Sequence, residues 1–204
     1  MQNPFDAKAA VWDEDPRRVQ MARAIAEAIA GAVPLKTTMQ ALEVGCGTGL
    51  VTTCLASKLG SITAVDTSAG MLDVLRTKMQ ALAISNIVPM QADLTGPHSI
   101  EGKFDLIFSS MTFHHIGDYK AILGTLHSLL SPGGWIAIAD LDAEDGSFHD
   151  PQTHIEHRGF DRAELIAVLQ RLGFSTLKDS TAFAIPKNNR FYPVFLIIGQ
   201  KVNS

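Results

Sequence analysis

Between Leu42 and Leu50 the chain reads LEVGCGTGL, an apolar run that closes on glycines at alternate positions, Gly45, Gly47 and Gly49, with Cys46 between the first two. Glycine at that spacing lets the backbone turn sharply and lets a ligand lie directly against the main chain, because no Cβ intervenes. Asp66 follows about twenty residues after the first glycine, the separation at which a carboxylate accepts hydrogen bonds from ribose hydroxyls in nucleotide-binding folds. The pair points to a nucleoside ligand. A phosphate loop of the ATP type carries a lysine after its last glycine, and Leu50 and Val51 stand there instead, which removes that class. A dinucleotide loop uses G-x-G-x-x-G, so the tighter G-x-G-x-G spacing counts against nicotinamide without removing it.

Two further groups could move protons or hold ions. His114 and His115 are adjacent, and an imidazole titrates near neutral pH, so either is a candidate general base. His149, His154 and His157 lie among Asp142, Glu144, Asp145, Asp150 and Glu156. Their spacing matches none of the common zinc patterns, so the expectation is no metal and a solvated substrate-side loop.

The elements that must position these residues alternate in type. Asp15 and Pro16 signal a helix start, and Val19, Ala22, Ala26 and Ile29 recur at helical spacing up to Gly31. Strand patterns follow at 41–45, 62–66, 87–91, 104–109 and 135–140, with helices at 50–59, 69–82 and 118–130 between them. Strand and helix in alternation with short connections predict a parallel sheet wound by right-handed crossovers. The strands scarcely alternate in polarity, as expected when both faces are covered. In such a sheet the ligand crevice lies beyond the carboxyl ends of the strands. That gathers the glycine loop, Asp66, Asp93, Ser109, Ser110 and Asp140 at one edge. A helix over 161–172 and a hairpin, 176–185 and 191–201 joined through PKNN, close the chain as an antiparallel ribbon.

At 204 residues the chain has material for one domain over 1–204, divided as a leading segment (1–37), a ligand-binding core (38–140) and a substrate-side region (141–204). A net charge of −4 with acids and bases mixed offers no basic stripe for nucleic acid. Two cysteines, Cys46 and Cys54, do not make a secreted disulfide framework, and the expectation is a reducing, cytoplasmic setting. No apolar run approaches a membrane span, and the N-terminus does not read as a signal peptide.

Taken in order, LEVGCGTG, ITAVDTSAGML, MQADL, FDLIFSSMTFHHI and LLSPGGWIAIAD resemble the successive motifs of class I S-adenosylmethionine-dependent methyltransferases. The resemblance covers residues 38 to 140 strongly and the rest more loosely. It implies a doubly wound, three-layer seven-stranded sheet, mostly parallel, with an antiparallel last strand and helices on both faces. It implies that Gly45, Cys46, Gly47 and Gly49 pass under the methionine part of the cofactor, and that Glu43 fixes the loop or the cofactor's amino group. Asp66 would bind the ribose, Thr67 and Met71 would border the adenosine, and Asp93 would meet the adenine amino group, with Ala92 and Leu94 around it. Ser109 and Ser110 would face the methionine end, and His114 or His115 would flank the methyl. Phe5 and Trp12 would belong to a lid or staple the first helix to the core. The N/D-P-P-Y/F motif of amino-methylating nucleic-acid enzymes is replaced by SSMT, which favours a small-molecule acceptor. A cofactor-binding sensor without turnover and a nicotinamide oxidoreductase stay open as alternatives.

Overall fold

Asp15 caps the first helix, its carboxylate accepting from the Arg17 backbone N–H at 2.9 Å, and Pro16 stands at the first helical position, where its missing N–H costs nothing. The computed structural model, which describes residues 3–96, 100–149, 153 and 155–203, then runs through α1 (Pro16–Ala32), β1 (Gln40–Val44), α2 (Leu50–Leu55), β2 (Ser61–Asp66), α3 (Ala69–Ala81), β3 (Ile87–Gln91), β4 (Phe104–Ser110), α4 (Tyr119–Leu129), β5 (Leu130–Leu141), α5 (Arg162–Arg171), β6 (Phe174–Lys187) and β7 (Arg190–Lys201). Ser68, Asp118 and Asp161 cap α3, α4 and α5 in the same way as Asp15 caps α1.

The seven strands form one sheet in the order β3-β2-β1-β4-β5-β7-β6. β1 to β5 pair in parallel, and β7 runs antiparallel to both β5 and β6. The doubly wound architecture with an antiparallel last strand is therefore present. Neighbouring residues of each strand serve opposite faces. Ala41, Leu106, Ala137 and Leu196 pack with α1, α2 and α3, while Leu42, Ile107, Ile136 and Ile197 pack with α4 and α5. This two-sided burial explains why the strands read as nearly continuous apolar runs.

Three local differences from the sequence expectation have physical causes. Residues Asp6–Glu14 of the leading segment form a 3-10 helix to which the sequence pattern assigns no element. The helix expected to Leu59 breaks to a 3-10 turn over Ala56–Lys58, where the Ala56 and Leu59 carbonyls accept from the Asn86 side-chain amide. β5 begins at Leu130 because the SPGG turn pairs into the sheet with a register shift opposite Phe104 and Leu106. At the hairpin tip Asn188 and Asn189 both take positive φ, 52° and 56°. Two left-handed residues in succession give the turn that matches strand twist, and asparagine tolerates it.

Candidate functional site

A cavity of about 680 Å³ opens at the carboxyl ends of the parallel strands. Its floor is the turn from β1 into α2. Gly45 and Gly47 have φ of 71° and 53°, and the first of these amides and that of Cys46 donate to the Val65 carbonyl at 2.8 and 2.9 Å. A Cβ on Gly45 would overlap the Thr112 side chain, whereas one on Gly47 would project into open space. The loop is thus closed below by packing and left bare above.

Asp66 ends β2 beside that loop. Its carboxylate accepts from Gly47 N at 2.7 Å and Ser68 N at 2.8 Å, one through each oxygen. A carboxylate offers about four lone-pair sites, so two remain for a diol above it. Burial pushes the Asp66 carboxyl up, against the backbone donors that draw it down. Asp93 lines the same cavity, and one of its oxygens also accepts from the Thr95 amide (2.8 Å) and hydroxyl (2.6 Å), so it caps a turn as well as facing the ligand space. Thr67, Met71, Ala92, Leu94 and Ser110 line the cavity too.

Glu43 lies beneath the loop at 1 % exposure. The Thr52 hydroxyl donates to its Oε2, and burial raises its pKa from 4.5 to about 8, so it is largely protonated at neutral pH. Cys46 lines the cavity as well, and burial raises its thiol well above the usual range, which disfavours a nucleophilic thiolate.

Two of the expected residues do not reach the cavity. Ser109 is buried, and its hydroxyl donates to the Val44 carbonyl at 2.8 Å, tying β4 to β1. Gly49 takes φ of 77° at the start of α2 directly against Leu75, so it serves the packing of the loop on α3.

His114 and His115 sit in the turn after β4, and both line the cavity. His114 Nδ1 lies 2.7 Å from Asp140 Oδ1, and its backbone N–H donates to Asp140 Oδ2 at 3.2 Å. Asp140 is completely buried, and the Leu141 amide adds a third donor at 2.7 Å. A carboxylate bound to Nδ1 places the imidazole proton there and leaves Nε2 as the basic nitrogen. His115 instead packs edge-on against Phe5, with ring centroids 5.3 Å apart.

His149 stands 4.9 Å from the His114 ring and lines the cavity, while His157 Nε2 donates to the Ile116 and Gly117 carbonyls outside it, at 2.9 and 3.1 Å. Asp150 and His154 lie outside the described residues. Among the described residues no group of three or more histidine, cysteine, aspartate or glutamate side chains is arranged to hold a metal ion.

Several residues of the site carry no motif. The leading 3-10 turn crosses the cavity: Asp6 accepts from the Ser68 hydroxyl (2.5 Å) and Gly70 N (3.1 Å), Asp13 accepts from the Thr48 hydroxyl (2.6 Å) and pairs with Lys78 (2.6 Å), and Asn3 donates to Thr67 (2.9 Å). Phe5 and Trp12 meet edge-on at 5.9 Å above the glycine loop's cavity, which both line. On the other side, the hairpin tip grips the loop 144–149. Tyr192 bonds Ser147 at 2.7 Å, Arg190 pairs with Asp145 at 2.8 Å, and Lys187 Nζ donates to the Phe148 carbonyl. Asp140 had a signal in the sequence, its position at a strand's carboxyl end, and Phe5 and Trp12 were singled out by the resemblance; Asp6, Asp13 and the hairpin residues had none.

The bare loop, the free lone pairs of Asp66 and the open space over Gly47 fit the adenosine and methionine parts of S-adenosylmethionine. Comparison with known proteins agrees. Residues 41–134 match a family model described as a methyltransferase domain. The biotin biosynthesis bifunctional protein BioCD of Bordetella avium is 40% identical over 145 residues, covering 69% of this chain and 30% of that protein. The chain spans from under a third to about half the length of the curated relatives it matches. Among solved structures, phosphoethanolamine N-methyltransferase 2 of Haemonchus contortus in complex with S-adenosyl-L-methionine superposes with a TM-score of 0.73 at 17% identity, covering 87% of this chain and 52% of that one. The methyltransferase in a complex with the Trm112 methyltransferase activator of Haloferax volcanii gives a TM-score of 0.82 at 18% identity, with 99% of both chains covered. Motifs, sheet order and family match converge: residues 41–134 form a methyltransferase domain, and the sheet built around them has the fold of the class I S-adenosylmethionine-dependent methyltransferases.

Proposed function

We propose that the chain transfers the methyl group of S-adenosylmethionine to a small-molecule acceptor, with His114 receiving the acceptor's proton where one must leave. The observation that carries this reading is His114, held by the buried Asp140, lining the same cavity as the Asp66-braced glycine loop. When bound, S-adenosylmethionine supplies a methyl on a sulfonium, an electrophile whose neutral thioether leaving group needs no protonation. Asp66 and Asp93 hold the nucleoside end, and the glycine loop, with no Cβ in the open space over Gly47, lies under the rest. His114, fixed by two bonds to Asp140, presents one tautomer and one orientation to the acceptor. Phe5 and Trp12 act as a lid that excludes water. Positioning of two reactants supplies roughly 7–11 kcal/mol of such a barrier, so the protein's work is mainly alignment. A cavity of this size lies in the range of about 300–1,000 Å³ typical for small ligands.

The test is incubation with methyl-labelled cofactor and a metabolite extract. Labelled product is expected from the native chain and not from Asp66→Ala. Binding of S-adenosylhomocysteine with no labelled product across broad extracts would establish a sensor instead, and tighter binding of NAD than of S-adenosylhomocysteine would move the chain to the oxidoreductases.

A further inference from the structure

The sheet order separates the two ends of the cavity. Asp66 and Asp93 follow β2 and β3 at one side of the sheet, whereas Ile185 and Lys187 end β6 at the opposite edge, β6 running parallel to β1–β5 through its antiparallel pairing with β7. The β6 side is walled by apolar and aromatic groups, Met21 from α1, Phe148 from the 144–149 loop and Ile185 from β6, which pack into one cluster. Two cations join them. Arg18 stacks 3.8 Å over the Trp12 ring and donates to the Trp12 carbonyl at 3.0 Å. Lys187 lies 5.1 Å over the Phe148 ring and donates to the Phe148 carbonyl.

Among the described residues neither cation pairs with a carboxylate. The acids lining the cavity are otherwise engaged: Asp15 is held by Arg17 at 2.9 Å, Glu43 is buried under the loop, and Asp66 and Asp93 belong to the nucleoside side. Among the described residues each of these partly covered cations makes one hydrogen bond, to a carbonyl, beside its aromatic face, with the Asp15 charge felt by Arg18 without an ion-pair contact, and the remaining N–H donors are unengaged. Such groups bind an oxyanion with charge-assisted bonds, stronger than neutral ones, and an arginine does so bidentately.

We propose, building on the methyltransferase reading, that the acceptor is an amphipathic anion: an apolar or ring-bearing body packed between Met21, Phe148 and Ile185, with a carboxylate or phosphate received by Arg18 and Lys187. The aromatic lid covers the body, and the anion anchors the end remote from the adenosine. Both side chains keep further N–H groups for an anion, because each spends one bond on a carbonyl oxygen, Arg18 on that of Trp12 six residues earlier and Lys187 on that of Phe148 in the 144–149 loop.

The test is calorimetry on protein already saturated with S-adenosylhomocysteine, so that the methionine carboxylate is seated before any probe is added. The probes are 3-phenylpropanoate, phenyl phosphate and the neutral 3-phenylpropanamide. At least one anion is expected to bind about tenfold or more tightly than the amide, the gain of one charge-assisted bond. Comparison of the two anions tells carboxylate from phosphate. Lys187→Met and Arg18→Met are each expected to erase most of that preference, and Lys187→Arg and Arg18→Lys to keep it, which separates charge from the packing both residues provide. Equal binding of anion and amide, binding of none of the probes, or a preference that survives either methionine substitution would overturn the proposal. If S-adenosylhomocysteine itself fails to bind, it is the methyltransferase reading that falls.

Discussion

Asp140 and Glu43 are both buried carboxylates at strand ends, and their surroundings set them to different work. Asp140 receives three N–H donors and sits on an imidazole, an arrangement that keeps His114 in the tautomer with Nε2 free. Asp140→Asn presents an N–H where an acceptor is needed, and kcat is expected to fall about 100-fold or more, the scale of general-base contributions, while the affinity for S-adenosylhomocysteine stays within about twofold. A kcat that falls together with cofactor affinity would show a merely structural role. Glu43 behaves oppositely, because its pKa in the folded chain, about 8, exceeds its ordinary 4.5. Between those values the unfolded chain has lost the proton that the folded chain keeps, so the stability tied to Glu43 is full below about pH 4.5 and is lost as pH rises towards 8. At about 1.36 kcal/mol per unit this amounts to roughly 4 kcal/mol between pH 5 and 8. Denaturant unfolding at the two pH values should show a difference smaller by that order in Glu43→Gln; an unchanged difference would place the pH dependence elsewhere. At this scale the glycines and Asp66 were legible, because their chemistry depends on residue type and separation. Ser109 was not: strand position put it at the crevice, but which way a terminal hydroxyl turns depends on the β1 carbonyl beside it.

The leading 3-10 turn is the element whose role depends most on side-chain bonds to distant segments. Asp6 and Asp13 tie it to the first turn of α3 and to the glycine loop, and the Ser68 hydroxyl and Gly70 amide hold the Asp6 carboxyl below its usual range. Replacing both by alanine should free residues 3–14 while leaving the sheet intact, read as faster proteolysis at the N-terminus and S-adenosylhomocysteine binding weakened several-fold. Unchanged proteolysis and affinity would show that the aromatic contacts of Phe5 alone hold the turn. The sequence offered Phe5 and Trp12 but no periodicity from which to read this element. This 3-10 helix of nine residues buries only Ala9 and leaves no amphipathic stripe. The helices α1, α3, α4 and α5 were legible within one or two residues, because each carries its own cap and apolar face.

Across the whole molecule the cavity joins segments far apart in sequence, the leading turn, the β1, β2, β3 and β4 ends, the 144–149 loop and the hairpin tip. A ligand that contacts them all in the folded chain and none when unfolded raises stability by about 2.7 kcal/mol at a hundredfold excess over Kd. For a chain of this size that corresponds to roughly 5–11 °C in Tm. Thermal melts with S-adenosylhomocysteine should show this shift, and Asp66→Ala should remove it; a shift retained in that variant would relocate the binding site. The parallel order of the core was legible because crossover rules leave few topologies. The acceptor side was not, since it is assembled from the three parts of the chain without motifs, and only tertiary contact brings Arg18 of α1 to the same cavity as Lys187 of β6. If the leading turn roofs cofactor and acceptor alike, as proposed, it also sets a clock. Neither molecule would then enter or leave faster than Asp6 and Asp13 release their partners. Dissociation of the spent cofactor should then proceed at the opening frequency of this one strap.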